Sequence, residues 1–220
     1  MAQDDIKADT GGSGHTQPVR PSMWDERYGA PGYLFGTAPS QFLNDHRDCL
    51  VPGAQTLALA DGEGRNSVFL AACGLQVTAM DASPVAVEKA RALATEQGVS
   101  VDFHVADILD WDWIPNVYDL VAGIFIQFSP PDDRKAVFEG IKKTLKPGGT
   151  LLLHGYRPEQ IEYGTGGPPH AENMYSEDLL RTAFSDMEIL TLAAYDRVVD
   201  EGRGHSGMSA LIDLVARKPL

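Results

Sequence analysis

The chain has 220 residues, enough for one domain with a sizeable core. Its 31 acidic residues outnumber 18 Lys and Arg, a formal charge of −13, which argues against binding nucleic acid by neutralising phosphates. The longest apolar run, residues 120–126, is far too short for a membrane span, and no basic start leads into an apolar block, so neither a membrane segment nor a secretory signal is expected.

Residues 1–22, with Gly11-Gly12-Ser13-Gly14, Pro18 and Pro21, read as a disordered leader, and one domain is expected over 23–220. From Trp24 onward, strand and helix patterns alternate. A strand is predicted at 56–60, a helix at 64–73, a strand at 76–80 and a helix at 84–97. That helix has Ser83 as N-cap, Pro84 at its first position and Gly98 after its end. Residues 101–105 alternate as a third strand. Residues 118–125 form a nearly continuous apolar run, as in a strand covered on both faces. A helix at 132–145 is closed by Lys146-Pro147-Gly148-Gly149, and a fifth strand follows at 150–154. A helix at 176–184 capped by Ser176 precedes two late strands, 187–197 and 208–217, joined by a Gly-rich turn. The alternation implies an α/β, Rossmann-like doubly wound sheet of parallel strands with helices on both faces. The last two strands have no helix between them and should pair antiparallel.

Two dispersed cysteines, Cys49 and Cys73, have no metal-ligand spacing, and Cys73 reads as a core thiol. They fit a reducing, cytoplasmic compartment. The stretch 101–120 holds Asp102, Asp107, Asp110, Asp112 and Asp119 without a Lys or Arg, and reads as a solvated acidic face apart from Asp107.

The chemistry centres on Ala60-Asp61-Gly62-Glu63-Gly64-Arg65-Asn66, where a strand passes through Gly-x-Gly into a helix. Glycines there allow a sharp bend and a close ligand, and the helix start offers free N–H groups. Ser67 stands where the dinucleotide fingerprint has its third glycine, and the Lys-Ser/Thr of a triphosphate loop is absent. Asp81 ends the next strand 19 positions after Gly62, where a carboxylate can accept hydrogen bonds from both ribose hydroxyls. A ribose-bearing ligand without phosphate fits S-adenosylmethionine better than NAD. Asp107 follows the third strand, where it suits either an adenine amino group or a turn.

These motifs, with Met80-Asp81-Ala82-Ser83, Leu145-Lys146-Pro147-Gly148-Gly149 and Gly164-Thr165-Gly166-Gly167-Pro168, resemble the class I S-adenosylmethionine-dependent methyltransferases. Trp24-Asp25-Glu26-Arg27-Tyr28, Tyr33-Leu34-Phe35-Gly36-Thr37 and Glu201-Gly202-Arg203-Gly204-His205-Ser206-Gly207 are similar to the tellurite-resistance/thiopurine methyltransferase-like group. The common family form has Asp where this chain has Ala58, Gly at Ala60 and Cys at Asp61. The resemblance implies a seven-stranded sheet with an antiparallel last strand, S-adenosylmethionine as cofactor, and a small-molecule acceptor. It points to a soft nucleophile such as a thiol or a chalcogen oxyanion. An N or O acceptor, or a non-enzymatic binding member, are the alternatives.

Ligands of such sheets sit beyond the carboxyl ends of the parallel strands. The expected cofactor set is Asp61, Gly62, Glu63, Gly64, Asn66, Asp81, Ala82, Asp107, Ile108 and Gln127, with Tyr33 and Phe35, beside Tyr28, as a lid. Asp61 is expected to serve the ammonium of the methionine moiety. His205, placed in the last turn, His154 and Tyr156 are the catalytic candidates, with either histidine a base near neutral pH. His154 equally suits a satisfied core histidine. Arg157 or Arg203 could hold an anionic substrate.

Overall fold

The computed structural model describes residues 23–220; the leader expected over 1–22 lies outside the described residues. Seven strands form one sheet: β1 (Gln55–Leu59), β2 (Gln76–Asp81), β3 (Asp102–Val105), β4 (Tyr118–Ile124), β5 (Leu145–Tyr156), β6 (Glu188–Glu201) and β7 (His205–Arg217). Their order is β3-β2-β1-β4-β5-β7-β6, with β7 antiparallel to both neighbours and the first five strands parallel. The Rossmann-like sheet with a reversed last strand is therefore the fold of this chain.

The helices follow their local signals. α3 (Arg65–Ala72) and α4 (Pro84–Glu96) lie on one face, where Leu70, Val87 and Leu93 pack against Val77, Ala79 and Leu152. Ser83 caps α4 by accepting from the Ala86 N–H at 3.2 Å. On the other face α5 (Pro131–Thr144) and α7 (Glu177–Ala183) bury Phe138, Ile141, Leu180 and Phe184 against Val121, Leu151 and Leu153. Cys73 is half-buried against the first core. No helix among the described residues is long and apolar enough to cross a membrane.

Three short helices had no periodic signal: α1 (Met23–Tyr28), α2 (Gln41–Asp45) and α6 (Gln160–Tyr163). The late strands also differ from expectation. Pairing of β6 with β7 runs to Glu201↔His205, so the turn is only 202–204 and His205 sits in a strand. Gly202, at φ +71°, supplies the left-handed turn residue. β5 begins at Leu145, before the expected 150; the Pro-Gly-Gly segment is absorbed at a register irregularity between Tyr118 and Leu120.

Candidate functional site

The site lies at the carboxyl ends of β1, β2, β4 and β5. At the β1–α3 bend Gly62 and Gly64 have φ +61° and +91°. A side chain at 62 would strike the Tyr28 hydroxyl, and one at 64 would meet Ala90 of α4 at 2.7 Å. Ala60 precedes them at φ +43°, a left-handed conformation without glycine's freedom.

Asp81 ends β2 and is buried. Its Oδ2 accepts from the Gly62 N–H and its Oδ1 from the Ser83 N–H, each at 2.9 Å. Burial raises its carboxyl above the usual range, against the lowering effect of those two hydrogen bonds. Asp61 lies beside it. Its Oδ1 accepts from the Ser67 N–H at 3.2 Å in the first turn of α3. Its Oδ2 is buried with no hydrogen-bond partner among the described residues. Burial pushes the Asp61 carboxyl up to about 7, with Asp81 adding to the rise while Ser67 and Arg65 oppose it.

A cavity of about 140 Å³ opens from Asp81, lined by Trp24, Tyr28, Met80, Ala82, Asp107 and Ile108. Asp107 is exposed at its rim and closes a turn by accepting from the Leu109 N–H at 2.9 Å. A second cavity, of about 330 Å³, is lined by Phe35, Phe125, Phe128, Tyr156 and His205, with Arg27 and the Gly166–Pro169 segment. Trp24 and Phe128 line both, so the two spaces adjoin.

The aromatic cavity is built by strain and close packing. Phe125, just past β4, has φ +58°, rare for a bulky residue and costing on the order of 1–3 kcal/mol. Its ring centroid lies 4.2 Å from His205, 4.7 Å from Tyr156 and 4.7 Å from His154. Phe35 covers His205 from the other side at 4.4 Å. Gly202 and Gly204 allow this: a Cβ at 202 would lie 2.5 Å from the Phe35 backbone, and one at 204 would lie 2.2 Å from the Phe35 ring. Burial drives the His205 imidazole down to about 3, helped by Arg65 and opposed by Glu201. Its Nδ1 is buried and has no partner among the described residues. The buried Tyr156 hydroxyl has no well-formed hydrogen bond among the described residues, and burial raises its pKa.

Several expected site residues are committed elsewhere. Glu63 is tied by Oε2 to the Leu34 N–H at 2.6 Å and by Oε1 to Lys89 at 2.8 Å, and so fastens the 30–34 segment to α4. Asn66 accepts from the Ser40 N–H at 2.9 Å. Gln127 lines the second cavity, with its amide clamped to the Tyr156 backbone, donating to the carbonyl at 2.7 Å and accepting from the N–H at 2.5 Å. Tyr33 packs toward α4, its hydroxyl 3.5 Å from the Lys89 carbonyl, and lines neither cavity. His154 is held at Nδ1 by Asp213 at 2.6 Å and stacked on Phe42 at 5.0 Å. It stands behind Phe125, outside both cavities. Arg157 pairs with Asp196, and Arg203 donates to the Pro31 carbonyl.

Two residues the sequence reading passed over hold the site together. Arg65 of the glycine bend and Glu201 of the hairpin form a buried ion pair at 2.6 Å. Glu201 also accepts from the Gln41 N–H at 3.1 Å and the Ser40 hydroxyl at 3.3 Å. Burial alone would raise the Glu201 carboxyl; the Arg65 charge and hydrogen bond outweigh it and hold the group below its ordinary value. Both residues fall inside motifs visible in the sequence, but their pairing over 136 positions leaves no local signal.

Residues 57–149 match a family model described as a methyltransferase domain. A ubiquinone biosynthesis O-methyltransferase of Xanthomonas campestris pv. campestris (strain B100) is 36% identical over 104 residues, 47% of this chain and 43% of that protein. A carboxy-S-adenosyl-L-methionine synthase of Chromohalobacter salexigens is 35% identical over 144 residues, 62% and 47% of the two chains. The chain spans under half the length of these curated relatives. Among solved structures, the N-methyltransferase NodS from Bradyrhizobium japonicum WM9, in complex with S-adenosyl-L-homocysteine, superposes with a TM-score of 0.67. It is 14% identical, over 90% of this chain and 97% of that one. TehB from Haemophilus influenzae superposes at 0.65 with 17% identity, over 89% and 65%. The chain shares the fold of these two solved structures.

Proposed function

We propose that this chain is an S-adenosylmethionine-dependent methyltransferase acting on a small molecule through a soft nucleophile, a thiol or a chalcogen oxyanion. The observation that carries this reading is the adjoining pair of cavities. One is the size of a base and offers a buried acid; the other is aromatic; they meet at Trp24 and Phe128.

The residues of the first cavity suit a nucleoside. Asp81, held by two backbone donors, has lone pairs for ribose hydroxyls, Asp107 stands at the rim for an adenine amino group, and Met80, Ile108 and Trp24 give apolar walls. The unpartnered oxygen of Asp61 suits a ligand with a positive group at the glycine bend. Bound there, S-adenosylmethionine supplies a methyl group on a positively charged sulfur whose leaving form is a neutral thioether.

The second cavity does the rest by placement. Phe35, Phe125, Phe128 and Tyr156 exclude water, and their ring faces favour a cationic centre at the junction. Gln127 fixes the β5 backbone that carries Tyr156. Among the described residues no carboxylate lines this cavity; burial pushes His205 down to about 3, a weak base, and the exposed His170 is the other imidazole in the lining. An acceptor that arrives already nucleophilic needs neither imidazole, which favours sulfur or a heavier chalcogen over nitrogen or oxygen. Arg27 at the wall is the cation available to an anionic acceptor. Relatedness to an O-methyltransferase favours the other reading, an oxygen acceptor.

Turnover against small thiols, selenite, tellurite, amines and phenols, followed as release of S-adenosylhomocysteine, separates these. We expect activity with the sulfur or chalcogen acceptors and none with amines or phenols. Turnover confined to oxygen or nitrogen acceptors overturns the soft-nucleophile reading.

A further inference from the structure

We propose that a third cavity, between the 36–44 segment and the carboxyl end of β6, is a second binding site and takes a small organic ammonium ion, which donates a hydrogen bond to His154. The cavity holds about 470 Å³, within the range of about 300–1,000 Å³ usual for small-molecule sites. Its walls come from Thr37, Gln41 and Phe42 on one side and from Tyr195, Arg197 and Asp200 on the other, with His154 completing the lining. It lies apart from the two cavities that meet at Trp24 and Phe128, and shares only Phe35 with the aromatic one. Its occupancy therefore does not depend on the reading of those two as a methyl-transfer site.

His154 is the buried polar group aimed into this space; it is only 3% exposed. Its Nδ1 lies 2.6 Å from Asp213 Oδ1, and the same oxygen accepts from the Tyr195 hydroxyl at 3.1 Å. Burial, and then the Asp213 charge, raise the Tyr195 pKa, so that hydroxyl keeps its proton. An ionised carboxylate only accepts, so Nδ1 carries the proton and the neutral ring presents Nε2 as an acceptor. Phe42 stacks on the imidazole at 5.0 Å and Phe125 meets it edge to face at 4.7 Å, which fixes its direction. These contacts account for a histidine packed in the core. They do not account for Nε2, which has no hydrogen-bond partner among the described residues and is not sealed from the cavity that the ring lines.

The charges around the cavity select a cation. Arg197 in the lining pairs with Asp45 at 3.0 Å and lies over the Tyr195 ring. Glu201 is neutralised by Arg65 at 2.6 Å and also accepts from the Ser40 hydroxyl and the Gln41 N–H. Asp200, exposed in the lining, has no ion-pair partner among the described residues, and Asp213 behind the imidazole has no Lys or Arg bonded to it. An anion entering here would face two uncompensated acids and a lone pair. An ammonium ion donates to Nε2, is drawn by Asp200, and sets its carbon skeleton against Phe42 and Tyr195.

The test uses three ligands of one shape and different charge: benzylamine, benzyl alcohol and benzoate. Each is titrated into the full chain at pH 7.5, for wild type, His154→Asn and Asp200→Asn. Calorimetry gives the affinities, and the imidazole nitrogen resonances report the place. We expect benzylamine to bind saturably, to move the Nε2 resonance of His154, and to bind more tightly than the alcohol, with benzoate excluded. Asparagine at 154 can still donate to Asp213 but puts nothing at the Nε2 position, so the affinity for benzylamine falls about tenfold or more. Asp200→Asn, an exposed change that leaves the core untouched, weakens it roughly two- to fivefold at low salt, and the difference fades as salt is added. Absence of saturable binding overturns the site, as does tight binding of the alcohol or benzoate equal to that of the amine. A resonance shift at His205 in place of His154 puts the amine in the aromatic cavity and also overturns it. So does unchanged affinity in either variant; where His154→Asn does not fold, the wild-type resonances and Asp200→Asn decide.

Discussion

Replacing Glu201 by glutamine removes one charge from a pair that joins three parts of the chain. The Arg65 and Glu201 side chains are only 7% and 13% exposed, so the arginine left behind cannot regain its hydration. Removing one member of a buried pair costs about 3–5 kcal/mol, and glutamine keeps hydrogen-bonding capacity, so a loss near 3 kcal/mol is expected. In a domain of this size that lowers the melting temperature by roughly 6–12 °C. The sign with pH follows from the depressed folded value of Glu201. Its stabilisation is fully present above the unfolded carboxylate value and is lost as pH falls through the folded one, so wild type and variant converge in acid. Urea denaturation at pH 7 and at pH 4, with Arg65→Met and the double variant, measures the cost and the coupling. The double variant should lose clearly less than the sum of the single losses. A loss below 1 kcal/mol at pH 7, or additive single losses, refutes the idea that this pair fastens the hairpin to the glycine bend.

Two further outcomes follow from backbone geometry. Ala60 sits at φ +43°, where an L-residue pays about 1–2 kcal/mol that glycine does not, partly offset by the greater entropy of glycine in the unfolded chain. Ala60→Gly should therefore raise stability by about 0.5–1 kcal/mol in urea melts, and a loss would show that the turn is relaxed. Gly204→Ala places a methyl group 2.2 Å from the Phe35 ring and should cost about 1–3 kcal/mol while displacing the ring from His205. Unchanged stability would mean that Phe35 swings freely and does not wall the cavity.

Where sequence reading and structure part company, sequence distance is the common factor. The Gly62–Gly64 bend, the acid at Asp81 and the cap at Ser83 depend on neighbours within a few residues or on the adjacent strand, and they stand where the pattern put them. Glu63, Asn66 and Gln127 carried the right chemistry in the right segments. Their partners lie 26–29 positions away, in Leu34, Lys89, Ser40 and Tyr156, and nothing local announces those hydrogen bonds. His205 looked like a turn residue because glycines flank it, yet cross-strand pairing with Glu201 draws it into β7 and behind Phe35.

The amino-acid pattern by itself determined the order of strands and helices, the reversed final strand and the place of the glycine bend, because periodicity, capping and turn preference act over a few residues. Only the tertiary structure decided which polar groups remain unpaired at the rim. That outcome depends on which distant donors and cations reach each buried atom: Arg65 meets Glu201, Lys89 meets Glu63, and among the described residues no hydrogen-bond partner reaches the second oxygen of Asp61.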